Sequence, residues 1–547
     1  MEKSATGARL YGVVIALCAF TTIAQAQSGN GPVEPTATFQ AQAGPMVQAV
    51  QAAPMSLAAP PPLTDQQKAT LEYWEDRLPL PGPALASGGP SVAPPPGSET
   101  DPNAPRPQAP GSFATWVNAN LQPVIPSGFS SSTNEPSTGM GGRNRFQTGN
   151  WYAAYSSNAG DSWTHLSPFT AFPSIDGGFC CDQDTLYEPS RDMFIWLLQY
   201  IKSGSGAGDT GGFRIAVYDN TRGVISGSGW HSYTFHPSQV GGPATGEWFD
   251  YPHLAVSSNF LYIAINVFTT TTDTWTRTVM IRLPLHQLRA GVAVPITYLS
   301  WTSNFNFTPV QGAKDVMYWA SQLSGTTMTI FRWPDDSGSV STFNRTVTAW
   351  TAGGLHLCPS SDGNDFCQRS DNRINAGALS RNALTKQQEL WFFWNVRQDA
   401  SFPYPYIDAA KFRESDLAYL SRPLLWSSNF AWHYIGASPN GRGDLGLSVA
   451  FGELPNRYPS SAVCLDDDYN GDPPTWECYT TRSGAHGPSS NRWGDYLRVR
   501  PAYPTTTYWT ATAFTLQASA GTGNAEPRNM VFGRQRDAYD YFRWSRR

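Results

Sequence analysis

The chain has 547 residues, of which 40% are hydrophobic and 13% aromatic, and it contains 49 glycines and 44 prolines. This composition is typical of a large all-β body with many turns. The formal net charge is -5 and the sequence contains no basic run, which excludes the electrostatic footprint of a nucleic-acid-binding protein.

Residues 1–26 are typical of a secretion signal. Lys3 and Arg9 precede an apolar run over residues 10–20, and small residues follow it up to Ala26. At about eleven residues the run is too short to cross a bilayer, and no other membrane span is predicted. We therefore expect a secreted protein, periplasmic or extracellular. Loss of the signal leaves six of the seven cysteines, an even number that favours disulfides.

Residues 27–112 form a leader dominated by Ala, Pro, Gln, Ser and Gly. Such a composition buries too little apolar surface to fold, so the leader is predicted to be disordered. One segment differs, because Thr64 and Gln67 form a capping-box pattern ahead of an apolar stretch that includes Trp74. This pattern predicts a short helix near residues 64–78, which we expect to rest weakly on the body rather than to act as a binding peptide.

From residue 113 onward the sequence predicts strand after strand, in groups of four that repeat about every 45–65 residues, as propeller blades do. Five groups follow one another between Asp182 and Thr480. A sixth sheet is predicted to join a hairpin within residues 491–517 to two strands within residues 149–166. The prediction for residues 113–547 is thus an all-β, six-bladed β-propeller whose last blade is closed by N-terminal strands, a ring without exposed sheet edges.

One turn resembles the Asp box of sialidases and BNR-repeat proteins, Ser-x-Asp-x-Gly-x-x-Trp, with Asn in the Asp position. The residues that carry the resemblance are Ser156, Asn158, Gly160 and Trp163. In that family the box lies between the third and fourth strands of a blade, and the strand assignment puts both this turn and a degenerate copy, Asp336-x-Gly338, at that place. The resemblance implies a sialidase-like propeller over residues 145–517. The nearest match to the sialidase Arg-Ile-Pro motif, at Arg214, lacks the proline, so sialidase activity itself is not expected.

The candidate site lies where the first strands of the blades begin. In a propeller with this strand order, the first strands line the central channel, and the resemblance implies that their N-terminal ends face the ligand. The candidate catalytic residues at these strand starts are Asp182, Asp184, Asp250, Tyr251, His253, Arg373, Asp495 and Tyr496. Converging carboxylates suit glycoside hydrolysis, and a Tyr or His near an Arg equally suits β-elimination from a uronic acid. The alternative is that these groups only satisfy the channel backbone.

An acidic segment fits the calcium-loop pattern D-x-[DN]-x-[DN]-G-x5-E at every required position. The predicted metal ligands are Asp466, Asp468, Asn470, Asp472 and Glu477. We expect a structural Ca²⁺ there and no other cofactor. The alternative is a solvated turn held by a Cys464–Cys478 disulfide alone.

The other cysteines flank the candidate site. Cys358 and Cys367 enclose the loop that leads to Arg373, where a disulfide would stiffen the rim. For Cys180 and Cys181 a bridge between neighbours, free thiols and pairing elsewhere all remain open. A bridge between them would be a rigid apolar platform at the channel mouth.

The sequence thus predicts a secreted propeller that acts on an extracellular polysaccharide or glycoconjugate, as a glycoside hydrolase or a polysaccharide lyase. The alternative is a non-catalytic module that binds carbohydrate or protein. Two carboxyl groups about 5–10 Å apart beside an open pocket would support hydrolysis. A Tyr/His–Arg cluster would support elimination, and a plugged channel mouth would support binding or a scaffold role.

Overall fold

The computed structural model describes residues 32–33, 37–41, 63–102, 112–453, 457–470, 476–520 and 524–545. The described residues form seven antiparallel sheets, each with four or five strands. The first strand of each sheet contacts the first strand of the next, and the last of the seven contacts the first. The fold is therefore a closed, seven-bladed β-propeller, and the predicted number of six blades is wrong.

Blades 1 to 3 are numbered here in chain order, with the strands of each given from the channel outward. Blade 1 consists of Ser137–Gly141, Asn144–Gly149, Tyr152–Ser156 and Thr164–Leu166. Blade 2 consists of Phe179–Glu188, Met193–Tyr200, Phe213–Asp219 and Trp230–Phe235. Blade 3 consists of Glu247–Val256, Phe260–Thr269, Trp275–Pro284 and Val294–Trp301, with the leader strand Ala37–Ala41 at its outer edge.

Blades 4 to 7 complete the ring. Blade 4 consists of Thr308–Pro309, Val316–Ser324, Thr327–Pro334 and Val340–Thr346, with the leader strand Pro32–Val33 outside them. Blade 5 consists of Ile374–Arg381, Gln388–Val396, Tyr406–Arg413 and Tyr419–Ser421. Blade 6 consists of Ala431–Pro439, Leu445–Glu453, Arg457–Asp466 and Glu477–Arg482. Blade 7 consists of Val499–Pro501, Trp509–Leu516, Ala525–Arg534 and Phe113–Asn120.

The ring closes through a different strand from the one predicted. Residues 149–166 and residues 491–517 lie in separate sheets, blade 1 and blade 7. The outer strand of blade 7 is instead Phe113–Asn120, which pairs antiparallel with Ala525–Arg534 so that Val117 lies opposite Val531. The first strand of blade 1, sequence STGMG, escapes a pattern-based search because it has a single β-branched residue, Thr138, and no aromatic one. Its glycines are required by close packing, since a Cβ on Gly139 would lie 2.7 Å from the backbone nitrogen of Tyr187.

The core lies between adjacent blades. The largest fully buried side chains are all tryptophans, and many of them pack against aromatic rings of their own or neighbouring blades. Trp196 of blade 2, for example, lies 5.1 Å from the ring of Phe146 in blade 1, and Trp319 of blade 4 stacks on Phe331 at 5.1 Å. Packing of this kind fixes the angle between blades and therefore holds the first strands around the axis.

The two Asp-box-like turns lie between third and fourth strands, in blade 1 and in blade 4. In the first of them, the Ser156 hydroxyl accepts from the Gly160 N–H at 2.9 Å, and Asn158 Oδ1 accepts from the Ser162 N–H at 3.0 Å. These bonds are the side-chain-to-backbone pattern of a polar turn.

Helices are few. They span Asp65–Glu75, Leu285–Ala290 and Ala538–Ser545, and short 3-10 turns span Asn220–Arg222, Pro237–Val240 and Gln535–Asp537. None of the helices that the structure describes is long and apolar enough to cross a bilayer. The predicted signal, residues 1–26, lies outside the described residues.

Residues 63–102 of the leader lie against the ring. The helix Asp65–Glu75, called the leader helix below, begins with the predicted capping box, in which Thr64 Oγ1 accepts from the Gln67 N–H at 3.2 Å and Gln67 Oε1 accepts from the Thr64 N–H at 2.9 Å. Further along, the Val92 N–H donates to the Ala349 carbonyl at 3.0 Å. The prediction of disorder is therefore wrong for residues 63–102. They have no core of their own, and their apolar side chains pack on the ring.

Closure of the ring can be tested at Phe113. Its ring stacks on Tyr479 at a centroid distance of 3.8 Å, so Phe113→Ala should lower the free energy of unfolding by about 1–2 kcal/mol, the range for a half-buried aromatic residue. The measurement is urea unfolding followed by tryptophan fluorescence. Thr115→Ala, on the exposed side of the same strand, is the control. Equal stability of the two variants would contradict closure through this strand.

Candidate active site

Four first strands carry a β-bulge at the same level, near the end where the strand begins. The register shifts lie between Phe179 and Gln183, Asp250 and His253, Ile374 and Ala376, and His433 and Ile435. Within these bulges the backbone of Cys181, Tyr251 and Tyr434 is left-handed, with φ of 73°, 59° and 52°. A left-handed non-glycine residue costs free energy and persists only where its surroundings fix it, often at functional sites. The bulges re-aim side chains of blades 2, 3, 5 and 6 at the channel mouth.

Carboxyl groups and arginines meet at this mouth. We call them the mouth cluster, which comprises Glu135, Asp182, Asp250, Arg373, Arg492 and Asp495. All six are buried. Arg492 lies at the centre, with Nη2 3.1 Å from Asp495 Oδ2 and 3.5 Å from Glu135 Oε1. The Asp495 N–H also donates to Glu135 Oε1 at 2.9 Å, so blades 1 and 7 share one ionic contact.

Asp250 and Arg373 form the other side of the mouth cluster. Asp250 Oδ1 accepts from Gln199 Nε2 at 3.1 Å. Arg373 is held by Asp371 in a two-pronged ion pair, with contacts of 2.8 and 2.7 Å, and its guanidinium carbon lies 4.3 Å from the centroid of the Tyr251 ring. Arg373 is therefore fixed in place by a carboxylate and an aromatic face, which is an orientation suited to binding a ligand oxygen.

Burial raises the pKa of the carboxyl groups in the mouth cluster. It raises the pKa of Glu135 to about 7, with the Asp182 carboxyl adding to the rise and Arg492 opposing it. Burial and the nearby Asp250 and Asp495 raise the pKa of Asp182 well above its usual value. The pKa of Asp495 is raised well above its usual range by burial and by Glu135, and burial raises the pKa of Asp250 as well. Near neutral pH the cluster thus contains carboxyl groups that can donate a proton.

Two of the predicted residues belong to a second cluster, one step further along the channel. Asp184 is paired with Arg498 at 3.1 Å and with Arg500 at 3.0 Å, and it also accepts from Ser137 Oγ at 2.7 Å. Although burial acts in the opposite direction, the two arginines hold the pKa of Asp184 below its usual value. His253 lies 2.9 Å from Arg498, and burial and that charge keep its pKa well below the usual value. These contacts hold blades 1, 2, 3 and 7 together.

Tyr251 and Tyr496 lie between the two clusters. Their ring centroids are 6.0 Å apart, and the ring of His253 lies 4.7 Å from that of Tyr251. Burial raises the pKa of both phenols, so both are protonated at neutral pH. The structure thus brings all eight predicted residues to the channel, but Asp184 and His253 are occupied in the deeper cluster.

Sequence reasoning missed Glu135 and Arg492. Glu135 stands two residues before Ser137, where the first strand of blade 1 begins, so the rule that found the aspartates would also have found it if blade 1 had been counted. Arg492 precedes Asp495 by three residues and carried no signal of its own.

The leader helix and the residues that follow it cover the mouth. The Leu80 N–H donates to Asp250 Oδ2 at 3.3 Å, and the Leu80 carbonyl accepts from Arg373 Nη2 at 3.2 Å. The carbonyl of Glu75 accepts from Arg492, and the Glu75 carboxyl, which is buried, accepts from the Ser131 hydroxyl. The site is therefore closed by the protein's own chain rather than by side chains of the ring.

The disulfides show how Cys180 and Cys181, whose pairing the sequence left open, are bonded. Cys180 and Cys181 are bonded to each other, and both are buried in the same cluster as Trp74 and Trp248. The predicted Cys358–Cys367 and Cys464–Cys478 disulfides are also present. The platform formed by Cys180 and Cys181 lies directly before Asp182, under the leader helix.

Two of the predicted calcium ligands face arginines. Asp468 forms a two-pronged pair with Arg536, both contacts being 2.7 Å, and Glu477 lies 2.6 Å from Arg534. Asp472 lies outside the described residues. Among the described residues, three ligand atoms of a possible metal group converge only at Cys358, Asp365 and Cys367, where the two sulfurs are already bonded. Calcium binding at residues 466–477 stays a prediction, and the ion would have to displace these arginines.

No protein-family model and no curated protein matches the chain. Among solved structures, the α-L-arabinofuranosidase of Fusarium graminearum in complex with arabinobiose is 8% identical, with a TM-score of 0.38 over 76% of this chain and 97% of that one. A Trypanosoma rangeli sialidase in complex with sialic acid is 10% identical, with a TM-score of 0.35 over 70% of this chain and 56% of that one. A Penicillium chrysogenum α-L-arabinanase is 10% identical, with a TM-score of 0.31 over 76% and 98%. These values show a distant structural similarity alone, and the function has to be argued from the residues of this chain.

The buried acid Glu135 should make stability depend on pH. A carboxyl whose pKa rises from 4.5 to about 7 on folding stabilises the fold below pH 4.5, and this contribution is lost as the pH rises to 7. Relative to Glu135→Gln, the free energy of unfolding of the wild type should therefore fall by about 3 kcal/mol between pH 4.5 and pH 7. Urea unfolding at several pH values measures it. The control is Glu72→Gln, which removes a charge from the exposed side of the leader helix. If the difference in free energy of unfolding between the wild type and Glu135→Gln did not depend on pH, the raised pKa of Glu135 would be contradicted.

Calcium binding has a separate test. Millimolar Ca²⁺ should raise the melting temperature by about 1–2 °C, the shift expected for about 1 kcal/mol in a domain of this size, and Glu477→Gln should abolish the rise. Asp336→Asn, in another acidic turn, is the matched control. A melting temperature that neither Ca²⁺ nor a chelator changes would rule out the site.

Proposed function

We propose that this protein is a secreted glycoside hydrolase that cleaves an extracellular glycan at the channel mouth. One observation carries the proposal: four carboxyl groups from four different blades converge with two arginines at one end of the channel, and burial raises the pKa of each. If these carboxyl groups only satisfied the backbone of the channel wall, each would be bonded to backbone donors alone. Instead, the four carboxyl groups face one another. Glycoside hydrolysis requires one carboxyl that is protonated and one that is ionised.

Asp182 and Glu135 are the proton donor in this proposal. Burial raises the pKa of both, and the Asp182 carboxyl adds to the rise at Glu135, so that a proton is kept there near neutral pH. Such a pair can protonate the glycosidic oxygen as the bond to the sugar breaks.

Asp250 is the ionised partner. Its hydrogen bonds from Gln199 and from the Leu80 N–H, together with the charges of Arg373 and Arg492, oppose the rise in its pKa that burial causes. Of the four carboxyls it is thus the one whose surroundings best support the charged form. It would stabilise the positive charge that develops on the sugar, either directly or by activating water.

Arg373 and Arg492 supply the contacts that orient the substrate. Arg373 Nη1 and Arg492 Nε are buried and have no hydrogen-bond partner, although buried donors are nearly always paired. Substrate hydroxyl or carboxylate oxygens would satisfy them.

Two observations favour other functions. Arg373 over Tyr251 is the geometry that elimination from a uronic acid would use, and the covered mouth is what a binding module would show. A single screen separates the three. Neutral and acidic polysaccharides are incubated with the wild type and with Trp74→Ala, in which the leader helix is weakened, and new reducing ends, absorbance of unsaturated uronates and binding are all recorded.

If the protein is a hydrolase, new reducing ends should form without the absorbance of unsaturated uronates. Asp250→Asn and Asp182→Asn should then each lower kcat by roughly 100-fold or more, since general acid–base and charge-stabilising groups contribute at least this much. Asp416→Asn, an exposed aspartate, controls for lost surface charge, and melting temperatures show that the variants fold. Activity that survives both substitutions would place the site elsewhere. Failure of both forms to cleave or bind any glycan would overturn the proposal.

A further inference from the structure

The leader contacts the reactive end of the site with its backbone. Within residues 75–80, one N–H and two carbonyl groups are bonded to Asp250, Arg373 and Arg492. These are the same donors and acceptors that a hydroxyl-rich chain would satisfy. The leader therefore occupies the position that a ligand needs, and it does so with groups of matching hydrogen-bonding character.

The side chains of the leader occupy an aromatic floor next to the acids. The ring of Trp74 lies edge-on 5.4 Å from that of Trp248, and Lys202 Nζ lies within 5.7 Å of both ring centroids. Leu71, Leu78 and Leu80 are buried in the same cluster. The floor beneath them is formed by Trp151, Tyr152, Cys180, Cys181, Trp248 and Phe268. Without the leader helix this floor would be an exposed aromatic patch, the kind of surface on which the apolar face of a sugar ring packs.

The leader helix depends on the ring for its order. It has eleven residues, a length at which an isolated helix is marginal in water, so its order depends on docking. One of its docked groups is strained electrostatically. The Glu75 carboxyl is buried with Oε1 unpaired, close enough to Glu135 for repulsion to contribute to the raised pKa of Glu75, after burial. Removing the helix from the mouth returns this carboxyl to water.

We infer that the leader helix and Leu80 are an intramolecular occupant of the substrate site, and that a glycan displaces them, placing a sugar ring over Trp248 where Trp74 lies. The inference rests on the proposed function. The ligand it implies is a polysaccharide segment with a hydroxyl donor for Asp250 and oxygen acceptors for Arg373 and Arg492. Trp248 is then a binding residue, and the intact chain is in a closed, low-activity state.

The test uses Trp74→Ala in the full chain. Its control is Tyr73→Ala, which removes a ring of similar size that is 54% exposed on the same helix. The first readout needs no glycan: the Cys180–Cys181 disulfide is reduced under mild conditions and alkylated, and the labelling rate is followed by mass. We expect labelling at least tenfold faster in Trp74→Ala, because the helix that covers the bond opens more often, and no change in Tyr73→Ala. The buried Cys358–Cys367 disulfide is the internal reference and should remain unlabelled in every variant.

The second readout follows the glycan. An oligosaccharide that the protein cleaves should bind Trp74→Ala at least tenfold more tightly than wild type, and it should speed proteolysis of the leader helix in the wild type. Labelling of Trp74→Ala at the wild-type rate would overturn the inference, as would unchanged affinity for a glycan that the wild type cleaves. If labelling accelerates but neither form binds or cleaves any glycan, the proposed function has failed, and the assignment of the substrate fails with it.

Discussion

Six charged or protonatable side chains are buried together at the end of the channel, and this constraint determines much of what surrounds them. Carboxyl groups at this density cannot all be ionised without water, so some keep their protons and the others face Arg373 or Arg492. The arginines have to be held in turn, by Asp371 and by the Glu75 carbonyl. The bulges, the left-handed residues and the second ionic layer around Asp184 all serve to hold these groups in place against their mutual repulsion.

The sequence carried the main features of this arrangement but not the number of blades. Strand periodicity and acidic residues at strand starts predicted a propeller and located Asp182, Asp250, Arg373 and Asp495. The Gly-rich STGMG strand has no such pattern, and Ala525–Arg534 contains Pro527 and Arg528 within a strand enclosed by two others. Each of these strands is specified by its neighbours rather than by its own residues, which is why Glu135 and the true closure were missed.

The leader shows the limit of reasoning from composition. A stretch rich in alanine and proline cannot form its own core, and that conclusion holds for residues 63–102. What composition cannot reveal is that a few residues, Leu71, Trp74, Leu78 and Leu80, find their apolar partners on a surface made by residues far along the chain. Order in such a segment is a property of the complex between the leader and the ring.

The strand pairing that closes the ring also sets an order of events during biosynthesis. The strand that contains Val117 cannot pair until the strand that contains Val531 has been synthesised. More than 400 residues are therefore added before blade 7 gains its outer strand. Until then Phe113–Asn120 is an unpaired strand, and the acids of the mouth have no enclosed volume in which to meet. Pairings over such sequence separations form slowly and leave strand edges open to other chains, so this protein needs protection from self-association while it folds.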